Sequence, residues 1–252
     1  MNQLALKLYE KGRKLTENGN YKAASIYLLN ALKEDVMLVD AHIDLAYCFA
    51  MENRFEDAKD HCLQAISLDP NNLEAYSTLA FIYHEYGLYE EEAKMLEGLK
   101  ERLDNPGAAF YLTLGNAYYE MGKHDKAAEN YLKAIEIEPD FAEAYANLGN
   151  AYFMGNQLEK AKNYYTKALS LDPTLPDVYY DLGSLYMELG EQLNALKCLK
   201  KAVKLNPTHQ YAHYDLALLY NDLGNRKRAL EEYEKLKSID AVLAEELLDS
   251  LL

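Results

Sequence analysis

A 34-residue pattern returns through nearly the whole chain, and it limits the possible folds more than any other feature. Its most regular copy is 142–175, AEAYANLGNAYFMGNQLEKAKNYYTKALSLDPTL. Tyr145, Leu148 and Tyr152, with the small Gly149, fall three to four apart, the spacing that puts them on one face of a helix. Ala161, Tyr165, Ala168, Leu169 and Leu171 do the same in the second half. Gly155 and Asn156 supply a turn between the halves, because either takes a positive φ at little cost. Pro173 ends the copy, since inside a helix it would cost ~3 kcal/mol or more, and its ring pushes Asp172 out of the helical region. Each copy reads as two amphipathic helices, a turn and a stop.

Seven copies lie in register: 5–38, 39–72, 73–107, 108–141, 142–175, 176–209 and 210–241. One first-helix column is Leu8, His42, Tyr76, Tyr111, Tyr145, Tyr179 and His213; another, small throughout, is Gly12, Ala46, Ala80, Gly115, Gly149, Gly183 and Ala217. The second helices align on Ala24, Ala58, Ala93, Ala127, Ala161, Ala195 and Ala229. Two helices reach the short end of the usual ~8–10 Å separation only where one presents Gly or Ala, so large residues of the partner fill the hollow. Each pair leaves an apolar face bare for the next pair to cover, which stacks the array in one dimension.

These Tyr-x-x-Leu-Gly-x-x-Tyr, Ala and Pro columns resemble the tetratricopeptide-repeat family over residues 5–241. The resemblance implies an all-α fold, a right-handed α-solenoid of antiparallel helix pairs forming one domain over 1–252, with first helices lining a concave groove and second helices on the convex side. Three departures stand out. The first copy has Lys11 for Leu and Val36 for Pro. The third carries one extra residue, placed between Gly87 and Ala93, and Glu97 and Lys100 then fall where apolar and small residues belong, which predicts an irregular second helix or a local change of superhelix pitch. The last has Ala241 for Pro and runs into a helix over 241–252, capped by Asp240. Its leucines are expected to cover the last repeat while Glu245, Glu246 and Asp249 stay wet; Leu247, Leu248, Leu251 and Leu252 also allow self-association.

The side of the first helices opposite the buried stripe is the expected ligand face. It carries Phe81 and His84; Asn116, Tyr119 and Glu120; Asn147, Asn150 and Phe153; Tyr180, Asp181 and Ser184; and Tyr214. Ile43, Leu112 and Ala146 are assigned to the same face. The first 14 residues of copies two to seven hold 12 acids and no Lys or Arg, so the groove is read as electronegative. Aromatic residues form adaptable apolar pockets. Asn offers both a donor and an acceptor, so it can pair with an extended peptide backbone, as similar asparagines do in some long solenoids of this family; the alternative is that Asn is merely repeat consensus. The clamp with which some members hold a chaperone's C-terminal carboxylate needs Lys and Arg on this face, and none is expected here.

With a net charge of −15, a general nucleic-acid or anionic-membrane binder is disfavoured. No secretory leader or membrane-spanning run is read from the sequence. Cys48, Cys62 and Cys198 fit buried free thiols in a reducing cytoplasm better than a disulfide or metal site. No phosphate loop, HExxH, paired CxxC or nucleophile elbow occurs, and His209 and His213 read as packed or solvated rather than metal-binding. The reading is a non-catalytic cytoplasmic scaffold without cofactor or metal, binding a protein or peptide with basic and apolar side chains. The alternative is a self-assembling homo-oligomer, the basic first repeat (Lys7, Lys11, Arg13, Lys14) or C-terminal helix docking on another copy.

Overall fold

The computed structural model describes residues 2–251, Asp249 by its backbone alone. The expectations for Asp249 and Leu252 lie outside the described side chains. Fifteen α-helices and no strand are present among the described residues. They form two compact units, Met1–Pro106 and Gly107–Leu252.

The first unit holds three antiparallel pairs: α1 (Gln3–Glu17) with α2 (Tyr21–Glu34), α3 (Val39–Met51) with α4 (Phe55–Leu68), and α5 (Leu73–Glu85) with α6 (Tyr89–Lys100). The second holds α7 (Ala108–Glu120) with α8 (His124–Ile137), α9 (Ala142–Met154) with α10 (Leu158–Leu171), α11 (Pro176–Glu188) with α12 (Gln192–Leu205), α13 (Gln210–Asp222) with α14 (Arg226–Ile239), and then α15 (Ala241–Leu251). Within each unit the first helices of neighbouring repeats touch, as α7 does α9 and α11 does α13, while the second helices have no comparable set of contacts. First helices therefore lie on the inner side of each unit's curvature.

One left-handed residue turns each pair: Gly19, Asn53, Gly87, Gly122, Asn156, Gly190 and Gly224. In the fifth repeat Asn156 does this alone, and Gly155 keeps a φ of −79°. These turns correct the register of the third repeat. Counted from Gly87, the position filled elsewhere by a fully buried alanine is Glu92, not Ala93, and Glu92 is only 1% exposed. Leu96 and Leu99 then occupy the apolar columns, both buried, and Glu97 and Lys100 point outward. The extra residue belongs to the connection after α6. There Arg102 reaches back to the Pro70 carbonyl at 2.6 Å and the Tyr76 hydroxyl at 2.7 Å, and there the two units divide. The second helix is an α-helix of 12 residues against 14 in the other repeats.

The small column does what close approach requires. A Cβ on Gly115 would lie 2.5 Å from the Tyr131 ring, and one on Gly149 2.6 Å from the Tyr165 ring. Overpacking of this kind costs about 1–3 kcal/mol, so glycine is what lets a tyrosine cross beneath the first helix. At the C-terminus the Asp240 carboxylate caps α15 by accepting from the Val242 and Leu243 amides at 3.1 and 3.0 Å. Ala244, Leu247 and Leu251 are buried against the last repeat, while Glu245 and Glu246 stay exposed.

Candidate functional site

In the second unit the crossing tyrosines reach the inner face. The Tyr131 hydroxyl, passing under Gly115, donates to Asn116 Oδ1 at 2.9 Å, and Asn147 Nδ2 donates to the same oxygen at 2.9 Å. One repeat on, the Tyr165 hydroxyl passes under Gly149 and donates to Asn150 Oδ1 at 2.6 Å, and Asn150 is in turn hydrogen-bonded to Asp181. Burial pushes both tyrosine hydroxyls far above their ordinary range, so they act as fixed donors. Asn116 and Asn150 thus use their amide oxygens inside the fold, and the Asn150 NH2 group donates to Asp181. Ser184 holds the equivalent place in α11 above Gly183, where the crossing residue is Leu199 and has no hydroxyl to offer.

The acids of this face fall into two groups. Glu120, Glu143, Asp177, Glu188 and Asp222 are exposed. Asp181 and Asp215 are half-buried at the same turn of α11 and α13. Burial pushes Asp181 up to about 7, helped by the nearby Asp177 and opposed by the Asn150 hydrogen bond. Asp215 is pushed up to about 6 by burial, opposed only by a hydrogen bond with Tyr180. Neither carboxylate has a basic partner, because α7, α9, α11 and α13 carry no Lys or Arg. Tyr119, half-buried, is raised by burial and then by the Asp181 charge, so it belongs to the same cluster. Tyr180 stacks on His209 at 4.8 Å and lies 6.4 Å from Tyr211. Phe153 and Tyr214 are half-buried, each packed against a neighbouring core.

The first unit is chemically different. Phe81 stacks on Tyr47 at 5.7 Å at the edge of the core, and His84 Nδ1 meets the buried Glu92 carboxylate at 3.1 Å. Asp44 repeats the Asp181 position and is pushed up to about 6 by burial, although Arg13 opposes the shift. Three residues assigned to the open face are instead buried: Ile43, Leu112 and Ala146 at 3%, 7% and 6% exposure. They sit where a first helix meets its neighbouring repeat, a contact that single-helix geometry does not reveal. The residues missed from sequence were Tyr131 and Tyr165, which lie on second helices; the pairing of Tyr with the Gly column was the available signal. Cys48 and Cys62 are buried and Cys198 only half-buried; all three are free, with burial raising their thiols to about 11, about 12 and about 11. Among the described residues no helix is long and apolar enough to cross a membrane, and no cluster of three metal-ligating side chains occurs.

Comparison with known proteins agrees with this architecture. Family models described as tetratricopeptide repeat match residues 39–72, 61–93 and 211–242, and one described as TPR repeat matches 115–155, 149–190 and 183–224. Hsp70-Hsp90 organizing protein 3 of Arabidopsis thaliana is 32% identical over 91 residues, 36% of this chain. The match takes up 16% of that protein's length, as do those to the other curated relatives. A tetratricopeptide repeat protein from Parabacteroides merdae superposes with a TM-score of 0.79 at 16% identity, covering 98% of each chain. YrrB, a TPR protein with an unusual peptide-binding site, gives 0.55 at 23% identity over 73% of this chain and 95% of its own. At these identities the two crystal structures share the fold with this chain.

Proposed function

Because the chain belongs to the tetratricopeptide-repeat family, we propose that it is a non-catalytic interaction scaffold whose second unit holds a partner segment bearing basic and apolar side chains. The segment lies along α7, α9, α11 and α13. Tyr119, Phe153, Tyr180 and Tyr214 supply apolar contact, and the Asn116 amide, whose oxygen is held by Tyr131, donates to its backbone carbonyls. The peptide-binding site of YrrB and the organizing role in the name of the Arabidopsis relative are in keeping with this class of activity. A chaperone carboxylate clamp is not part of the proposal, since the face that would need cations carries acids.

One observation carries the reading: Asp181 and Asp215 are desolvated carboxylates whose recorded hydrogen-bond partners, Asn150 and Tyr180, are neutral. A carboxylate in that state gains most from an incoming cation, because opposite charge favours the ionised form that burial disfavours. The negative rim formed by Glu143, Asp177 and Asp222 speeds the encounter and rejects acidic partners.

The test is a panel of immobilised peptides at low salt in which Lys or Arg alternates with Leu, with Glu-for-Lys versions as controls. Basic peptides should bind at least about tenfold tighter, and the double change Asp181→Asn with Asp215→Asn should remove most of that preference. Equal binding of basic and acidic peptides would sink the proposal.

A further inference from the structure

In the second repeat, His42 of α3 and His61 of α4 face each other with their Nδ1 atoms 2.8 Å apart. The other ring nitrogen of His42, Nε2, lies 3.1 Å from the Val36 carbonyl oxygen. A carbonyl oxygen only accepts, so His42 Nε2 carries the proton and, in the neutral ring, Nδ1 is a lone pair. His61 Nδ1 must then donate, which leaves its own Nε2 bare. One proton occupies the gap between the rings, and there is no room for two.

We propose that this pair is an acid-sensitive latch: two neutral imidazoles tie α3, α4 and the connection at Val36 together, and protonation loosens the second repeat. The first added proton goes to His61 Nε2, placing a charge beside the Phe49 ring, 5.6 Å away, and near the Arg54 guanidinium, which stacks on that same ring at 3.9 Å. A second proton would have to enter the gap and would break the ring-to-ring hydrogen bond. Burial acts most strongly on His61 and opposes the proton, as do His42 across the pair and Arg54 at the N-cap, while Asp57 and Asp60 of its own helix favour it. None of these principal charges comes from α1, α2 or α5, which pack against α3 or α4. The net effect moves His61 down to about 4, and burial lowers His42 as well.

The sign follows from linkage. Both rings bind protons less readily folded than unfolded, so their contribution is present above the unfolded value of 6.5 and is lost as pH falls towards about 4. Asp44, on the same helix and pushed up to about 6, titrates in the opposite sense, because its burial penalty is relieved on protonation. Comparison with a variant, rather than the wild-type slope alone, isolates the latch.

Hydrogen exchange of the full chain, corrected for intrinsic rates, should be measured at pH 7.5 and 5.0. The histidines should lower the protection of α3 and α4 amides in the wild type by up to about tenfold per pH unit for each group, a fall that Asp44 offsets in part. In His42→Tyr the fall should be at least fivefold smaller; Tyr suits this column, as Tyr76 donates to the Pro70 carbonyl from the equivalent place. His61→Gln, which can still donate to His42 but does not titrate, should behave likewise and serves if His42→Tyr does not fold. If both folded variants keep the wild-type pH dependence, or if the wild type shows less acid loss than they do, the latch is overturned.

Discussion

His42 in the second repeat and His213 in the seventh fill one column and make the same first contact: His42 Nε2 holds the Val36 carbonyl at 3.1 Å, and His213 Nε2 holds the Pro207 carbonyl at 3.0 Å. They differ in what the paired helix presents. Opposite His42 stands His61; at the same position opposite His213 stands Glu232, with its Oε2 2.6 Å from Nδ1. Burial pushes the Glu232 carboxyl up, but hydrogen bonds from His213 and from Lys235, at 2.9 Å, outweigh it and hold the group below its ordinary value. An ionised Glu232 only accepts, so His213 Nδ1 donates where His42 Nδ1 accepts. One substitution on the second helix turns a pair of rings into a ring held by a carboxylate. A residue's place in a repeat fixes where it packs, while its hydrogen-bonding role is set by the neighbour across the pair.

Breaking the charged pair should have the largest effect. Glu232→Leu leaves His213 facing an apolar group in the interior and should cost about 3–5 kcal/mol of local stability, read from hydrogen exchange in α13 and α14. A cost below ~1 kcal/mol would mean that the pair is no more than packing.

Acid should separate the two repeats next. Because the folded-state value of Glu232 is depressed, its contribution is present above 4.5 and lost only as pH falls through that lower value. The second repeat weakens from pH 6.5 downwards, so between 6.5 and 4.5 its protection should drop while that of α13 and α14 does not. Asp215 on α13 and Asp44 on α3, both pushed up to about 6, relax alike on protonation, so the contrast rests on the histidine pair. Parallel loss in both repeats would erase the distinction.

The smallest effect belongs to Lys235, whose side chain is 55% exposed. Lys235→Met should cost less than about 1 kcal/mol by thermal unfolding, because water screens the pair and His213 still donates to Glu232. A larger cost would make Lys235, rather than His213, the main counter-charge.

Much of the molecule was legible in advance. The Tyr, Gly and Ala columns gave the helices, and Pro and the turn residues gave their ends to within a residue or two. The side of the first helices opposite the buried stripe follows from helical periodicity, which needs nothing beyond one helix. Ile43, Leu112 and Ala146 were misplaced because a neighbouring repeat covers them. Glu92 was misplaced because a charged residue in an alanine column is improbable by pattern, and sliding the alignment by one onto Ala93 repaired the column at the wrong place. His84, donating to or accepting from Glu92 across the pair, is the partner that makes the burial tolerable, and it lies outside the aligned column.

For this protein the sequence alone determined the helix pairs, their number, the small columns that let them approach, and the absence of Lys and Arg from the first helices of repeats two to seven. These follow from local geometry and composition. Tertiary structure alone decided that Tyr131 and Tyr165 lock the asparagines, that Asp181 and Asp215 lack a counter-charge, that the extra residue sits after α6, and that His42 faces a second ring where His213 faces a carboxylate. Desolvation and hydrogen bonding across helices are set by atoms far apart in the chain, and no column of residues records them.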